Sequence, residues 1–265
     1  MMRAIPILSL FPSLILSLPL VAGEARQSAQ SEDRFGYTAL DSADPLCSAA
    51  PIDLGDAEAL ALTAASDAAP ADDDGGAAVA LALPFAFYRQ MHETLVVSSN
   101  GYLAFSETGL AGEDGGHWRG DCPLPAIPDN RRASFARIYA LGGDLERGPG
   151  GALRHAHFAD CPRPPSFGSD ACTVIEWSDW RRRGQSGALH AQVVLYHGRR
   201  EIVIQYGALD AAAAAGLTVG IQDHGADSAL LLGCGAGYAP EPMSALCLFA
   251  PLGIFRDGFE GADED

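Results

Sequence analysis

Residues 94–105 read Thr94-Leu95-Val96-Val97-Ser98-Ser99-Asn100-Gly101-Tyr102-Leu103-Ala104-Phe105. β-Branched and aromatic residues flank Asn100-Gly101, a composition that suits strands. Asn and Gly tolerate positive φ best, so the dipeptide predicts a two-residue type I′ turn inside a tight hairpin. In that hairpin Leu95, Val97 and Ser99 share one face, and Thr94, Val96 and Ser98 the other. The stretch builds a fold and carries no chemistry of its own.

Working outward, the same alternation recurs. Leu189, Ala191, Val193 and Leu195 alternate with His190, Gln192, Val194 and Tyr196, and a strand returns after His197-Gly198-Arg199 through Ile202, Ile204 and Tyr206. Ala78–Leu83, Phe85–Tyr88, Arg137–Leu141, Ala152–Phe158, Thr173–Trp180, Leu217–Ile221 and Ala229–Leu232 read as further strands. Ile52–Leu54 and Ala59–Thr63 fit short strands, although Asp56–Ala69 is Ala-rich enough for a helix. Short strands separated by turn residues, with no βαβ alternation, predict an all-β fold, an antiparallel β-sandwich (jelly-roll-like) with long loops.

Around this domain the chain divides by composition. Met1-Met2-Arg3 followed by the apolar run Ala4–Leu20 and the small residues near Gly23 reads as a signal peptide over residues 1–23. Residues 24–46 are polar and small and read as a flexible leader. Residues 47–250 form a single sandwich domain, and 251–265 an acidic C-terminal tail ending Asp263-Glu264-Asp265. Past the signal peptide no apolar run is long enough to span a bilayer. The expected location is therefore exported: periplasm, cell surface or extracellular.

The formal charge of −17 argues against nucleic-acid partners and against anionic membrane surfaces. Cys47, Cys122, Cys161, Cys172, Cys234 and Cys247 make an even set behind an export signal, which predicts disulfides. Sequence distance favours Cys161–Cys172 and Cys234–Cys247, leaving Cys47–Cys122. A zinc site is the rival reading, but no Cys-x-x-Cys pair occurs.

An ordered set of segments resembles a known module: Leu83–Tyr88, Val96–Phe105, Leu141-Gly142-Gly143-Asp144-Leu145, Val174–Trp177, Gln192–Tyr196, Ile202–Tyr206 and Thr218–Gln222. Together, over roughly residues 50–235, they look like the extracellular β-sandwich module of bacterial secreted proteins. That module is remotely similar to the nidogen extracellular (NIDO) domain. The resemblance implies an extracellular setting and interaction or adhesion, with no catalytic residue to transfer. Two departures stand out. Such modules often read Trp-Asp-Asp-Leu where this chain has Gly142-Gly143-Asp144-Leu145, and Tyr88-Arg89-Gln90 lacks the glycine usual after the aromatic. Ile254–Gly261, with Asp257-Gly258-Phe259-Glu260, resembles a short tail that closes many proteobacterial secreted proteins.

Chemistry-bearing residues are scattered. His-Glu-x-x-His, Gly-x-Ser-x-Gly and phosphate-cradling glycine loops are all missing from the sequence. His155 and His157 share a strand face and would ligate a metal only with a third ligand. Asp72-Asp73-Asp74 offers hard oxygens to calcium, which makes calcium the one cofactor to consider, yet the turn lacks the spacing of a calcium loop. Glu176, on a core-like strand, needs a cationic partner if buried, with Arg137 or Arg181 as candidates. Trp177 and Trp180 sit three apart, so a regular strand would send them to opposite faces. The Gly-, Pro- and Asp-rich stretch Glu107–Arg132 is long for a compact domain, and His117, Trp118 and Arg119 within it are the binding-loop candidates. The expected function is a secreted binding or adhesion module without catalysis. Its partner is an extracellular or envelope protein, or a glycan. An accessory subunit of an envelope or secretion complex is the alternative, and a hydrolase acting through Glu176 a third.

Overall fold

The computed structural model describes residues 32–105, 122–126, 134–164 and 168–251. The segment 1–23 read as a signal peptide, residues 24–31, His117, Trp118 and Arg119, and residues 252–265 lie outside these. Leu189–Tyr196 (β9) and Glu201–Leu209 (β10) pair antiparallel with Val193 opposite Ile204, as the alternation predicts. The preceding strands are β1 (Thr38–Asp41), β2 (Thr63–Ala64), β3 (Gly75–Phe87), β4 (Gln90–Ser98), β5 (Tyr102–Ala104), β6 (Arg137–Gly142), β7 (Leu145–Phe158) and β8 (Cys172–Arg182). A four-residue helix, α1 (Ala211–Ala214), leads to β11 (Gly216–Gln222), β12 (Ala229–Gly235) and β13 (Ala245–Phe249).

These strands form two antiparallel sheets. Sheet A runs β1-β13-β10-β9-β8-β7, and sheet B runs β12-β11-β6-β5-β4-β3-β2. The chain meanders through β2–β6 in sheet B and through β7–β10 in sheet A. It then returns to sheet B with β11 and β12, and β13 closes between β10 and β1. Leu95, Val97, Leu103, Ile138 and Ala140 of sheet B meet Ile175, Trp177, Val193, Leu195 and Ile204 of sheet A in one core. Period-two alternation is what sends these residues inward.

The opposite faces are buried in part, each under a coil segment. Val174, Val194, Tyr196 and Val203 pack against Cys47 and Ile52 on the outer face of sheet A. Val96, Tyr102, Ala104 and Tyr139 pack with Leu124 on the outer face of sheet B. Each covering segment carries a crosslink: Cys47–Cys247 ties the first and Cys122–Cys234 the second, and Cys161–Cys172 closes the β7–β8 connection. Only the Cys161–Cys172 pair expected from sequence distance forms. Cys234–Cys247 and Cys47–Cys122 are replaced because β13 lies beside β1 and β10, which brings Cys247 to the N-terminal segment.

Three local expectations change. Residues 32–46 are part of the sandwich: Tyr37 is buried, and Thr38–Asp41 pairs with β13. The turn at Asn100-Gly101 is not type I′, since Gly101 has φ +77 while Asn100 does not enter the positive region. Val97 faces Leu103 across it, so the loop is longer than two residues. The left-handed pair instead occupies Tyr88 (φ +46) and Arg89 (φ +66), between Phe87 and its partner Gln90. Trp177 and Trp180 both enter the core, because Asp179 at φ +51 makes a bulge that shifts the alternation by one. Across that bulge Gly148 lies so close that a Cβ would sit 2.3 Å from the Asp179 carbonyl oxygen.

Candidate functional site

The stretch holding the binding-loop candidates is bracketed by fixed points. Phe105, 2 % exposed, stacks 5.9 Å from Phe85 in the core. Cys122 is bonded to Cys234 of β12. Beyond it the Gln222 side chain grips the backbone: its Oε1 accepts from Ala126 N–H at 2.9 Å, and its Nε2 donates to Ala126 O at 3.0 Å and Phe135 O at 2.8 Å. Gln222 is fully buried, so this amide supplies the partners that a coil crossing a sheet lacks.

On the outer face of sheet A the cross-strand register lines up Arg154, Glu176, Gln192 and Gln205 on β7 to β10. Glu176 Oε1 faces Arg154 at 3.4 Å, while Oε2 accepts from Gln192 Nε2 at 2.8 Å and pairs with His190 Nε2 at 3.1 Å. The expected cation, Arg137 or Arg181, is therefore replaced by Arg154 and His190. Arg137 instead lies over the Tyr102 ring, and Arg181 pairs with Glu146. Burial pushes the Glu176 carboxyl up, but the bonds from His190 and Gln192 and the His190 and Arg154 charges outweigh it and hold it below its usual range. Gln192 then reads the Ile52 backbone twice, donating to its carbonyl at 2.7 Å and accepting its N–H at 2.9 Å. Gln205 accepts from Ala50 N–H at 3.1 Å. The row binds the covering segment; both Glu176 oxygens are committed to it.

The acidic turn is engaged likewise. Asp72 faces Arg147 at 3.7 Å, Asp73 pairs with Arg183 at 2.9 Å, and Asp74 accepts from Asn100 Nδ2 at 3.0 Å. Burial raises Asp73 and Asp144 above the usual carboxylate range. His155 and His157 share a strand but acquire no third ligand: among the described residues no group of three His, Cys, Asp or Glu converges on a point.

Histidines gather elsewhere. His92 on β4 and His224 after β11 face each other, Nε2 to Nε2, at 3.0 Å. His92 lies tilted against Phe105 at 4.8 Å, Phe105 stacks on Phe85, Phe85 lies against His197 at 6.0 Å, and His197 against His157 at 5.7 Å. His92 is buried, and that burial, with the His224 charge, lowers its pKa to about 4. Burial lowers His155 and His197 too. Sequence reasoning passed over His92 and His224, which lie 132 positions apart and share no motif. It also missed Asp33, whose carboxylate accepts from Phe35 and Tyr37 N–H and from the Tyr88 hydroxyl at 2.6 Å. No protein-family model, no curated protein and no solved structure matches the chain.

Proposed function

We propose that the chain is an exported binding module that presents the 106–121 stretch from a crosslinked β-sandwich and performs no reaction itself. The observation that carries this reading is the double anchoring of that stretch, by core Phe105 at one end and the Cys122–Cys234 crosslink at the other. Surface loops on rigid frames are where binding residues concentrate. Three disulfides fit an oxidising compartment, and no helix among the described residues is long and apolar enough to cross a membrane. The resemblance to secreted modules of the NIDO kind points the same way. The commitment of both Glu176 oxygens to structural partners favours binding over hydrolysis.

The test uses the oxidised chain from residue 24 to 265 on immobilised glycans, matrix proteins and envelope fractions, with calcium and with chelator. Saturable binding that disappears on deleting Glu113–Arg119 is the expected result. Binding that survives the deletion moves the site off the loop. Loss with chelator would bring calcium into the contact.

A further inference from the structure

The aromatic seam His224–His92–Phe105–Phe85–His197–His157 runs between the two sheets. His92, Phe85 and Phe105 belong to sheet B and its connections, and His157 and His197 to sheet A and its β9–β10 turn. We propose that this seam is an acid-sensitive closure, in which protonation of its histidines opens that end of the sandwich and exposes the Phe85–Phe105 pair.

The argument is one of proton count. At 3.0 Å between His92 and His224, one Nε2 must carry a hydrogen and the other a lone pair. A cationic donor still fits that arrangement, so a first proton leaves the contact intact. A second sets N–H against N–H and adds like charges, and the contact breaks. His197 is held in one tautomer. Its Nδ1 lies 3.4 Å from the Pro84 carbonyl, which can only accept, so Nδ1 bears the hydrogen. Nε2 then accepts from the Thr173 hydroxyl at 2.9 Å. Adding a proton at Nε2 reverses that bond, since the hydroxyl can also accept, and sets a charge beside Phe85 and His157.

Among the described residues, three carboxylates by the seam and its neighbours already hold other groups. Asp170, beside His197, takes the N–H groups of Gly198 and Arg199. Asp223, next to His224, takes those of Asp227 and Ser228. Asp33 is bound to Phe35, Tyr37 and Tyr88. The titrating neighbour acting on His92 is His224. Histidine is the side chain whose charge changes in the mildly acidic range, so the seam gathers positive charge around an apolar pair as pH falls.

Hydrogen exchange on the oxidised chain, corrected for intrinsic rates, tests this between about pH 7 and about pH 4.5. The amides of residues 85–92, 195–198 and 221–228 are expected to lose protection reversibly and further than β6 and central β10, which fall only with global stability. In a His157→Gln/His224→Gln protein that fall in protection shrinks by about tenfold or more, since a glutamine amide does not gain charge. His190→Gln, outside the seam, leaves it unchanged. Seam protection that falls only in proportion to that of β10, or a fall of the same size in the double variant, would overturn the proposal.

Discussion

Asn100 closes the β4–β5 connection with its side chain. Its Nδ2 donates to Asp74 Oδ1 at 3.0 Å and its Oδ1 accepts from Leu145 N–H at 2.9 Å, at a position with no exposure. Asn100→Ala leaves a buried N–H unpaired, and we expect a loss of about 1–3 kcal/mol in denaturant unfolding. Asn100→Asp keeps the acceptor for Leu145 but faces Asp74 as a like charge, so it should not restore the wild-type value. Gly101 beside it is required twice over, by φ +77 and by the Leu141 carbonyl, 2.4 Å from where a Cβ would stand. Arg89 is the reverse case: a non-glycine residue at φ +66 that lies over the Phe35 ring at 5.4 Å. Arg89→Gly removes the left-handed penalty of roughly 1–2 kcal/mol against a weak exposed cation–π contact. The variant should unfold at higher denaturant; a lower midpoint would mean that the contact outweighs the strain.

Among the elements, the two covering segments set the stability of the sheets they lie on. Cys47–Cys247 and Cys122–Cys234 close separations of 200 and 112 residues, against 11 for Cys161–Cys172. In the chain-entropy model such long closures restrict the unfolded chain most. Cys122→Ser/Cys234→Ser should cost about 2–5 kcal/mol. It should also raise exchange at Leu124 and Ala126 first, since they lie on the outer face of sheet B. Uniform exchange across both sheets would show instead that the crosslink acts on the whole fold and does not hold its own segment down. The bulge at Asp179 works at this scale too. By shifting register between Trp177 and Trp180 it places two large rings in one core, where each Nε1–H finds a carbonyl, Ser98 O at 2.8 Å and Ala152 O at 3.3 Å.

For the whole molecule, the histidines make stability depend on pH. His92, held near 4, and His155 and His197, held below the ordinary value, resist protonation when folded. The unfolded chain takes up those protons near pH 6.5. Their unfavourable term is therefore absent above that pH and grows as pH falls toward the folded values. His92 alone accounts for on the order of 3 kcal/mol by about pH 4. Glu176 acts in the same direction at lower pH. Its folded value is depressed, so its contribution is full above the ordinary carboxylate range and is lost as pH drops through the folded one. Urea midpoints should thus be level from about pH 7 upward and decline steadily below about pH 6. A midpoint that stays level to about pH 4.5 would mean that the histidines are not held neutral.

What the residues settle by themselves is what depends on near neighbours. Period-two alternation in Leu189–Tyr206 and around Leu95–Val97 marks strands and inward faces without reference to anything distant. Six cysteines announce crosslinks, and the shortest pair forms as spacing suggests. What waits for the tertiary structure is everything set by who lies opposite. Cys247 meets Cys47 because β13 inserts between β1 and β10. Glu176 takes Arg154, its neighbour in register, and His190, two residues from its partner Gln192, in place of the arginines suggested by the sequence. Asn100-Gly101 is the stronger turn signal, yet the left-handed pair forms at Tyr88-Arg89, where Asp33 and Tyr37 hold Tyr88 from outside the hairpin. His92 and His224 meet only once the strands of sheet B are in order. Backbone preferences act over a few residues and are written locally, whereas side-chain partners are chosen by the packing of segments far apart in the chain.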